Sequence, residues 1–120
     1  MSNNCSKIKF VSKGWGFEKW IVNNQEYCGK LLYFVKGGKC SWHYHKLKDE
    51  TFYVHSGKIL LTYGDSDDMA FSHQIILERG ENFHITRGMR HQMEAMEDTE
   101  LFEFSTQHFE SDSIRLIKGD

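Results

Sequence analysis

The hydrophobic and polar positions of the chain form many short segments rich in β-branched and aromatic residues, separated by Gly, Asn and Asp. Residues 50–56 (ETFYVHS) are one example, and no long window carries a convincing helical period. About ten such segments with regular turn signals predict an all-β sandwich or barrel. We predict strands over residues 8–11, 17–22, 27–36, 40–45, 50–56, 58–63, 71–78, 82–85, 90–96 and 99–105, a last edge strand at 113–118, and a short helical turn near 107–112.

Length and composition predict one domain that spans residues 1–120. The formal net charge of −2 gives no reason to expect nucleic acid or a membrane surface as a partner. The polar first residues lack the apolar run of a signal peptide, and no run of ~18 apolar residues could span a membrane. Cys5, Cys28 and Cys40 are odd in number and form no C-x-x-C pair, so we expect a cytoplasmic protein.

Residues 37–57 (GGKCSWHYHKLKDETFYVHSG) carry the strongest chemical signal in the chain. His43 and His45 are two residues apart on a predicted strand, so their side chains project from the same face, about 7 Å apart along the strand. After a short polar turn, Glu50 begins a strand that can return antiparallel and lie beside the two rings. Two imidazoles and a carboxylate that converge on one point match the preferences of a borderline divalent metal.

A second half of the predicted site lies in residues 80–91 (GENFHITRGMRH), where His91 begins a strand and is the best candidate for a fourth ligand. With His91 inward, Met93 and Ala95 share its face and are apolar, as an interior face requires. Histidines in β-proteins are often satisfied core or surface residues, but a carboxylate and a distant histidine at motif spacing favour a metal site. The other histidines are expected to be structural or exposed: His55, His73, His84 and His108.

These two segments resemble the two motifs of the cupin superfamily. The pattern G-x5-H-x-H-x4-E-x6-G in residues 37–57 reproduces the first motif in every defining position. The pattern G-x5-T-x-G-x2-H in residues 80–91 matches the second motif except at Thr86, where cupins usually have proline. Ala95 is a further departure, because cupins often have asparagine there. The missing proline loosens the preset backbone angle of the turn without removing a ligand.

The resemblance implies a compact jelly roll, the double-stranded β-helix barrel of cupins, with a metal ion inside. Carried over to this sequence, the implied ligands are His43, His45, Glu50 and His91. Four protein ligands leave one or two open positions on an octahedral ion, where water or substrate oxygens can bind. We therefore expect a divalent metal, and Mn²⁺, Fe²⁺, Ni²⁺ and Zn²⁺ are all compatible with this nitrogen and oxygen set.

A closer resemblance is to the cupin domain of type II mannose-6-phosphate isomerases. It covers residues 13–18 (KGWGFE), 27–32 (YCGKLL), 48–54 (KDETFYV) and 91–95 (HQMEA). His43 stands where that family typically has glutamine, which strengthens the metal set. Gln92 stands where it often has arginine, which removes a charge suited to phosphate. The resemblance implies a small-molecule substrate, a carbohydrate, and isomerase-type chemistry.

An aldose–ketose isomerase needs a metal that polarises the carbonyl and adjacent hydroxyl, and a base that moves a proton between neighbouring carbons. Glu103, in the late strand LFEFS, is the preferred candidate for the base and can face either the interior or the solvent. Tyr33 and Tyr53 could donate protons or orient a ligand, although tyrosine in a strand usually packs. Lys30 and Arg87 could bind an anionic substrate or could be exposed solubilising charges.

Two other functions fit the same residues. The ligand set also supports an Fe(II)-dependent dioxygenase, in which substrate and O₂ share the open positions. A stand-alone cupin can instead bind a metal or a sugar without catalysis, because a fold alone does not determine a function. Oxygen consumption that requires iron would indicate the first function, and sugar binding without turnover would indicate the second.

The strand that carries the two ligand histidines has a second face. Trp42 and Tyr44 lie on that face, and so does Cys40, which is three residues before His43. We interpret Cys40 as a small apolar residue of the outer layer. An outward Trp and Tyr either pack under another layer or meet a partner subunit, which favours a homodimer.

Overall fold

The structure is a computed structural model that describes residues 3–120. Within these residues it contains eleven strands and two 3-10 helical turns. This part of the chain has no helix that is long and apolar enough to cross a membrane. The strands are β1 (Lys9–Lys13), β2 (Gly16–Asn23), β3 (Cys28–Phe34), β4 (Trp42–His45), β5 (Glu50–Ser56), β6 (Lys58–Gly64), β7 (His73–Glu78), β8 (Asn82–Ile85), β9 (Arg90–Ala95), β10 (Thr99–Ser105) and β11 (Ser113–Ile117). The turns are Met69–Phe71 and Glu110–Asp112.

The strands form two antiparallel sheets. The first sheet has the order β1-β2-β3-β10-β5-β8, and the second has the order β11-β4-β9-β6-β7. Strands that are distant in the chain are neighbours in space, such as β3 with β10 and β4 with β9. The prediction of an all-β jelly roll is confirmed.

Alternation along the strands places apolar side chains between the two sheets. Along β3, every second side chain from Cys28 to Phe34 is buried. Burying one large apolar side chain contributes about 1.5–3 kcal/mol, and both sheets supply such residues. The main contributors are Leu32, Phe34, Phe52, Val54, Ile59, Leu61, Met93 and Leu101. Polar residues take some of the same inward positions, namely Lys30, Glu50 and Glu103, and these line a cavity.

Predicted and observed strands agree within two residues at each end. The strand predicted at 71–78 starts later, because Met69–Phe71 forms a 3-10 turn. Asp68 caps this turn, since its carboxylate accepts a hydrogen bond from the Ala70 N–H at 2.9 Å. The helical turn predicted near the end of the chain is present as Glu110–Asp112.

Of the residues predicted for the outer face of β4, Cys40 lines the cavity instead, and Trp42 packs under another layer of the chain. Cys40 lies before the strand begins, where the alternation rule does not apply; it is buried, and its Sγ accepts a hydrogen bond from the Met93 N–H at 3.2 Å. Trp42 is fully buried, and its indole N–H donates to the Asp67 carbonyl at 2.8 Å. Tyr44 is half-buried. The chain itself covers Trp42, so this residue gives no reason to expect a partner subunit.

Candidate metal centre

Three histidines meet between the two sheets. His43 and His45 come from β4 and His91 from β9, and the pairing of these strands sets His43 directly opposite His91. The ligand atoms of the three rings all lie within 4.8 Å of one another. Gly88, in the turn before β9, has φ +83° and donates its N–H to the His45 carbonyl at 2.7 Å, a conformation that favours glycine. This histidine cluster could hold a metal ion.

Each of the three rings is fixed through its Nδ1 nitrogen. Nδ1 donates to a backbone carbonyl in every case: His43 to Ser41 at 2.9 Å, His45 to Asp112 at 3.1 Å and His91 to Met89 at 3.0 Å. A carbonyl oxygen only accepts hydrogen bonds, so Nδ1 carries the proton and Nε2 keeps its lone pair. Metal-binding histidines show the same arrangement, because the outer hydrogen bond fixes both the tautomer and the ring orientation.

Burial keeps the three rings neutral. It lowers the pKa of His45 to about 2 and the pKa of His91 to about 4. It also lowers the pKa of His43 well below its ordinary value, and the neighbouring His91 adds to this effect. Since neutral imidazole is the form that binds a metal, the cluster is ready to accept a cation near neutral pH.

The carboxylate of Glu50 lies beside the histidine rings. Its Oε2 is 3.4 Å from His45 Nε2 and 3.7 Å from His91 Nε2, and the residue is 1% exposed. In the described part of the chain, Glu50 Oε2 and His91 Nε2 are buried without a hydrogen-bond partner. An unpaired buried polar atom is costly, and a cation bound by both atoms would remove that cost. The residues present therefore fit a divalent ion held by three nitrogens and a carboxylate.

A lysine in the segment predicted to be a polar turn lies inside the cavity. Lys48 is 3% exposed, and its ammonium donates to Glu103 Oε2 at 3.0 Å. The same ammonium lies 3.7 Å from Glu50 Oε1 and 3.1 Å from His108 Nδ1. One feature of the sequence indicates this inward position of Lys48. Lys48 is two residues before Glu50, and an extended backbone puts side chains two residues apart on one face.

Around these groups lies a cavity of about 280 Å³. Part of its wall is apolar, formed by Trp15, Leu32, Phe34, Phe52 and Met93. The rest is polar and charged, and includes His43, His45 and the Lys48–Glu103 pair. A concave site with apolar walls and a few fixed polar groups is typical of small-molecule binding.

The three residues predicted to be catalytic have different positions. Glu103 faces the interior and is 4% exposed. Burial raises the pKa of Glu103, but the ammonium groups of Lys48 and Lys30 together outweigh it and hold the pKa at about 2. Tyr33 and Tyr53 alternate with buried residues of β3 and β5, on the outer side of the first sheet. The structure therefore brings Glu103 to the cavity and leaves the two tyrosines outside it.

The two residues predicted to bind an anionic substrate or to be exposed, Lys30 and Arg87, also differ in position. Lys30 lines the cavity, 3.7 Å from Glu18 Oε1. Arg87 is exposed, and its Nε donates to the Leu47 carbonyl at 2.8 Å. His108, expected to be structural or exposed, is half-buried and lines the cavity next to Lys48.

Asp112 organises the loop that joins the ligands of β4 and β5. Its buried carboxylate accepts hydrogen bonds from the backbone N–H groups of residues 46, 47 and 48 at 2.9, 3.0 and 3.0 Å. Its backbone carbonyl accepts the hydrogen bond from His45 Nδ1 at 3.1 Å. One residue therefore fixes a ligand ring and also the path of the chain from His45 to Glu50.

Replacing Asp112 with alanine is expected to lower metal affinity by about 10- to 100-fold, because the loop between two ligands loses its anchor. Competition with a chromophoric chelator measures this change. Asp68→Ala is the matched control, since it also removes a carboxylate that caps a backbone N–H, but away from the cavity. Equal metal affinity in Asp112→Ala and Asp68→Ala would contradict the positioning role.

A family model described as the Cupin domain matches residues 30–104, which is more than half of the chain. The chain therefore belongs to the cupin family. The matched range contains both motifs and all four candidate ligands. A search of the curated proteins found no match.

Solved structures with similar folds include three kinds of protein. CapF, a capsular polysaccharide assembling protein from Staphylococcus aureus, has a TM-score of 0.81 at 17% identity, over 96% of this chain and 33% of that one. Oxalate decarboxylase from Bacillus subtilis has a TM-score of 0.80 at 17% identity, over 91% and 30% of the two chains. KdgF from Halomonas sp. has a TM-score of 0.73 at 15% identity, over 86% and 91%. This chain thus spans about a third of the first two proteins, and such low identities support the fold alone.

Proposed function

We propose that this cupin binds a divalent metal and acts on a sugar or a similar hydroxylated small molecule by isomerase-type chemistry. His43, His45, Glu50 and His91 would hold the ion, with Mn²⁺, Fe²⁺, Ni²⁺ and Zn²⁺ as candidates. One observation carries the proposal: three imidazoles and a carboxylate converge beside a cavity of about 280 Å³, and two of their buried donor atoms have no hydrogen-bond partner among residues 3–120.

Support for a sugar-like substrate comes from the lining of the cavity and from the resemblance to type II mannose-6-phosphate isomerases. Lys48, Glu103 and His108 offer donors and acceptors for hydroxyl groups, while Trp15 and Phe34 offer an apolar wall for carbon atoms. The cavity volume is near the lower end of the range for small-molecule sites, so it suits a single small molecule. When bound, a divalent ion supplies a Lewis acid for a carbonyl and an adjacent hydroxyl oxygen.

Glu103 is the residue that we propose for proton transfer. The Lys48 ammonium keeps its carboxylate ionised near neutral pH. Oε2 already accepts hydrogen bonds from Lys48 Nζ and Ser105 Oγ, so we assign to Oε1 the acceptance of a proton from one carbon and its return to the next. Lys48, 3.0 Å away, can donate a hydrogen bond to a neighbouring substrate oxygen. We assign no part in this step to Tyr33 and Tyr53, since they alternate with the buried residues of β3 and β5.

The metal-loaded protein is expected to interconvert an aldose and its ketose in D₂O, with solvent deuterium incorporated beside the carbonyl. Elemental analysis of the native protein identifies the metal, and proton NMR follows a panel of sugars and sugar phosphates. Glu103→Gln is expected to lower turnover by about 10²- to 10⁴-fold at unchanged metal content. Glu100→Gln, a half-buried residue of the same strand on the other face, is the control.

Other outcomes of this assay would support the alternatives. Consumption of O₂ that depends on iron would replace the isomerase with a dioxygenase, and sugar binding without turnover would indicate a binding protein. Full activity in Glu103→Gln would exclude Glu103 as the base.

A homodimer and a cytoplasmic location remain predictions. Cys5, Cys28 and Cys40 are all free, which is compatible with a reducing compartment. Light scattering of the purified protein measures the oligomeric state.

A further inference from the structure

One arginine stands next to the metal centre. Arg115 on β11 is the direct cross-strand partner of His43 on β4. Directly opposite residues of an antiparallel pair project from the same face, and both side chains line the cavity. The guanidinium of Arg115 therefore borders the same space as a candidate metal ligand.

The rim of the cavity, which we define as Lys13, Glu110, Arg115, Lys118 and Asp120, carries three cations and two acids. Among the described residues, none of its three cations forms an ion pair.

The two rim acids already have partners. Glu110 Oε1 lies 3.2 Å from His108 Nε2. Asp120 Oδ2 accepts a hydrogen bond from the Lys39 N–H at 2.7 Å. Burial raises the pKa of Glu110, but His108, and after it Lys13 and Arg115, lower it below its ordinary value. Among the described residues, the three rim cations therefore keep donors for an incoming anion, and Glu110 is the acid that competes for them.

The charge balance of the cavity leads to the same conclusion. Five cationic and five acidic side chains line it, so their formal charges cancel. A divalent ion adds two positive charges in a site where buried charge needs compensation. An anionic ligand supplies that compensation, whereas a neutral sugar does not.

We propose that the substrate carries an oxyanion group, a carboxylate or a phosphate, that binds to Arg115 at the rim. The planar guanidinium presents two parallel N–H donors, which match the two oxygens of either anion. Because Arg115 and His43 are direct neighbours across the sheet, one small molecule can contact both Arg115 and an ion held by His43. This inference rests on the proposed function and specifies its substrate as an anionic sugar derivative.

The test uses isothermal titration of zinc-loaded protein with two probes, inorganic phosphate and glycolate. Arg115→Gln is expected to weaken binding of the preferred probe by about 10- to 100-fold, as for loss of a hydrogen bond to a charged group. Arg115→Lys restores part of the affinity, because it keeps the charge but loses the fork. Arg79→Gln removes an exposed arginine that does not line the cavity and leaves binding unchanged.

The two probes separate the two sources of the anion. Tighter binding of phosphate indicates a phosphate ester, and tighter binding of glycolate indicates a sugar acid. Equal affinities in Arg115→Gln and the wild type, or no binding of either probe, would overturn the inference. Anion binding through Arg115 in a protein without isomerase activity would preserve the inference and remove only the proposed reaction.

Discussion

Replacing His91 with alanine is expected to leave a folded barrel that has lost most of its metal. His91 is fully buried, and its Nε2, which has no hydrogen-bond partner within the described chain, lies 3.7 Å from Glu50 Oε2. Removing it leaves three of the four candidate ligands. Changing a residue that only supports a ligand lowers metal affinity by about 10- to 100-fold, and the loss of a ligand should lower it further. Elemental analysis after dialysis gives the metal per chain, and circular dichroism reports the fold.

Two further variants complete this experiment. His45→Ala is expected to lose metal in the same way, because its ring donates to the same centre. His55→Ala removes an exposed histidine on the other face of β5 and should keep the wild-type stoichiometry. Wild-type metal content in both His45→Ala and His91→Ala would falsify the assignment of the site.

The parts of the site that could be predicted from the sequence follow local geometric rules. His43 and His45 share a face because strand side chains alternate, and both line the cavity. Glu50 begins the next strand after a short turn, as predicted. The predicted antiparallel return beside β4 is wrong, because β5 belongs to the other sheet and pairs with β10 and β8, so the Glu50 carboxylate meets the rings across the space between the two sheets. His91 was predicted from the motif spacing, and the His43–His91 register gives that spacing its physical basis.

The rest depends on contacts between distant parts of the chain. Lys48 meets Glu103 across 55 positions, and Asp112 holds the 46–48 loop across 64 to 66. No local pattern reports such pairs, so Lys48 resembled an ordinary solvated turn residue. The sequence also left open whether another layer or a partner subunit covers Trp42. The structure shows the first, and the Asp67 carbonyl that accepts the indole N–H comes from a loop 25 residues away.

Lys48→Met is expected to lower the free energy of unfolding of the metal-free protein by about 3–5 kcal/mol near neutral pH. Lys48 and Glu103 are both nearly fully buried and lie 3.0 Å apart. Removing one partner of a buried ion pair leaves the other charge uncompensated in a medium of low polarity. Urea denaturation measures the change, and Lys36→Met, on an exposed residue, is the control and should shift stability by no more than about 0.5 kcal/mol.

A double variant tests whether the charge left on Glu103 causes the loss of stability in Lys48→Met. Adding Glu103→Gln to Lys48→Met should recover part of the lost stability, because no buried carboxylate then remains at that position. A double variant that is less stable than Lys48→Met by the full cost of a second independent substitution would show that the two side chains are not coupled.

The effect of Lys48→Met should also depend on pH in a defined direction. In the wild type the pKa of Glu103 is held at about 2, below its ordinary value of 4.5, so the ion pair stabilises the fold fully above about pH 4.5. This contribution is lost as the pH falls through about 2. Without the Lys48 ammonium, burial raises the pKa of Glu103, so the carboxyl takes up its proton at higher pH and its burial becomes less costly in acid. The stability difference between wild type and Lys48→Met should therefore narrow from pH 7 to pH 3, and a difference that stays constant over this range would show that the ion pair does not govern the stability of the cavity.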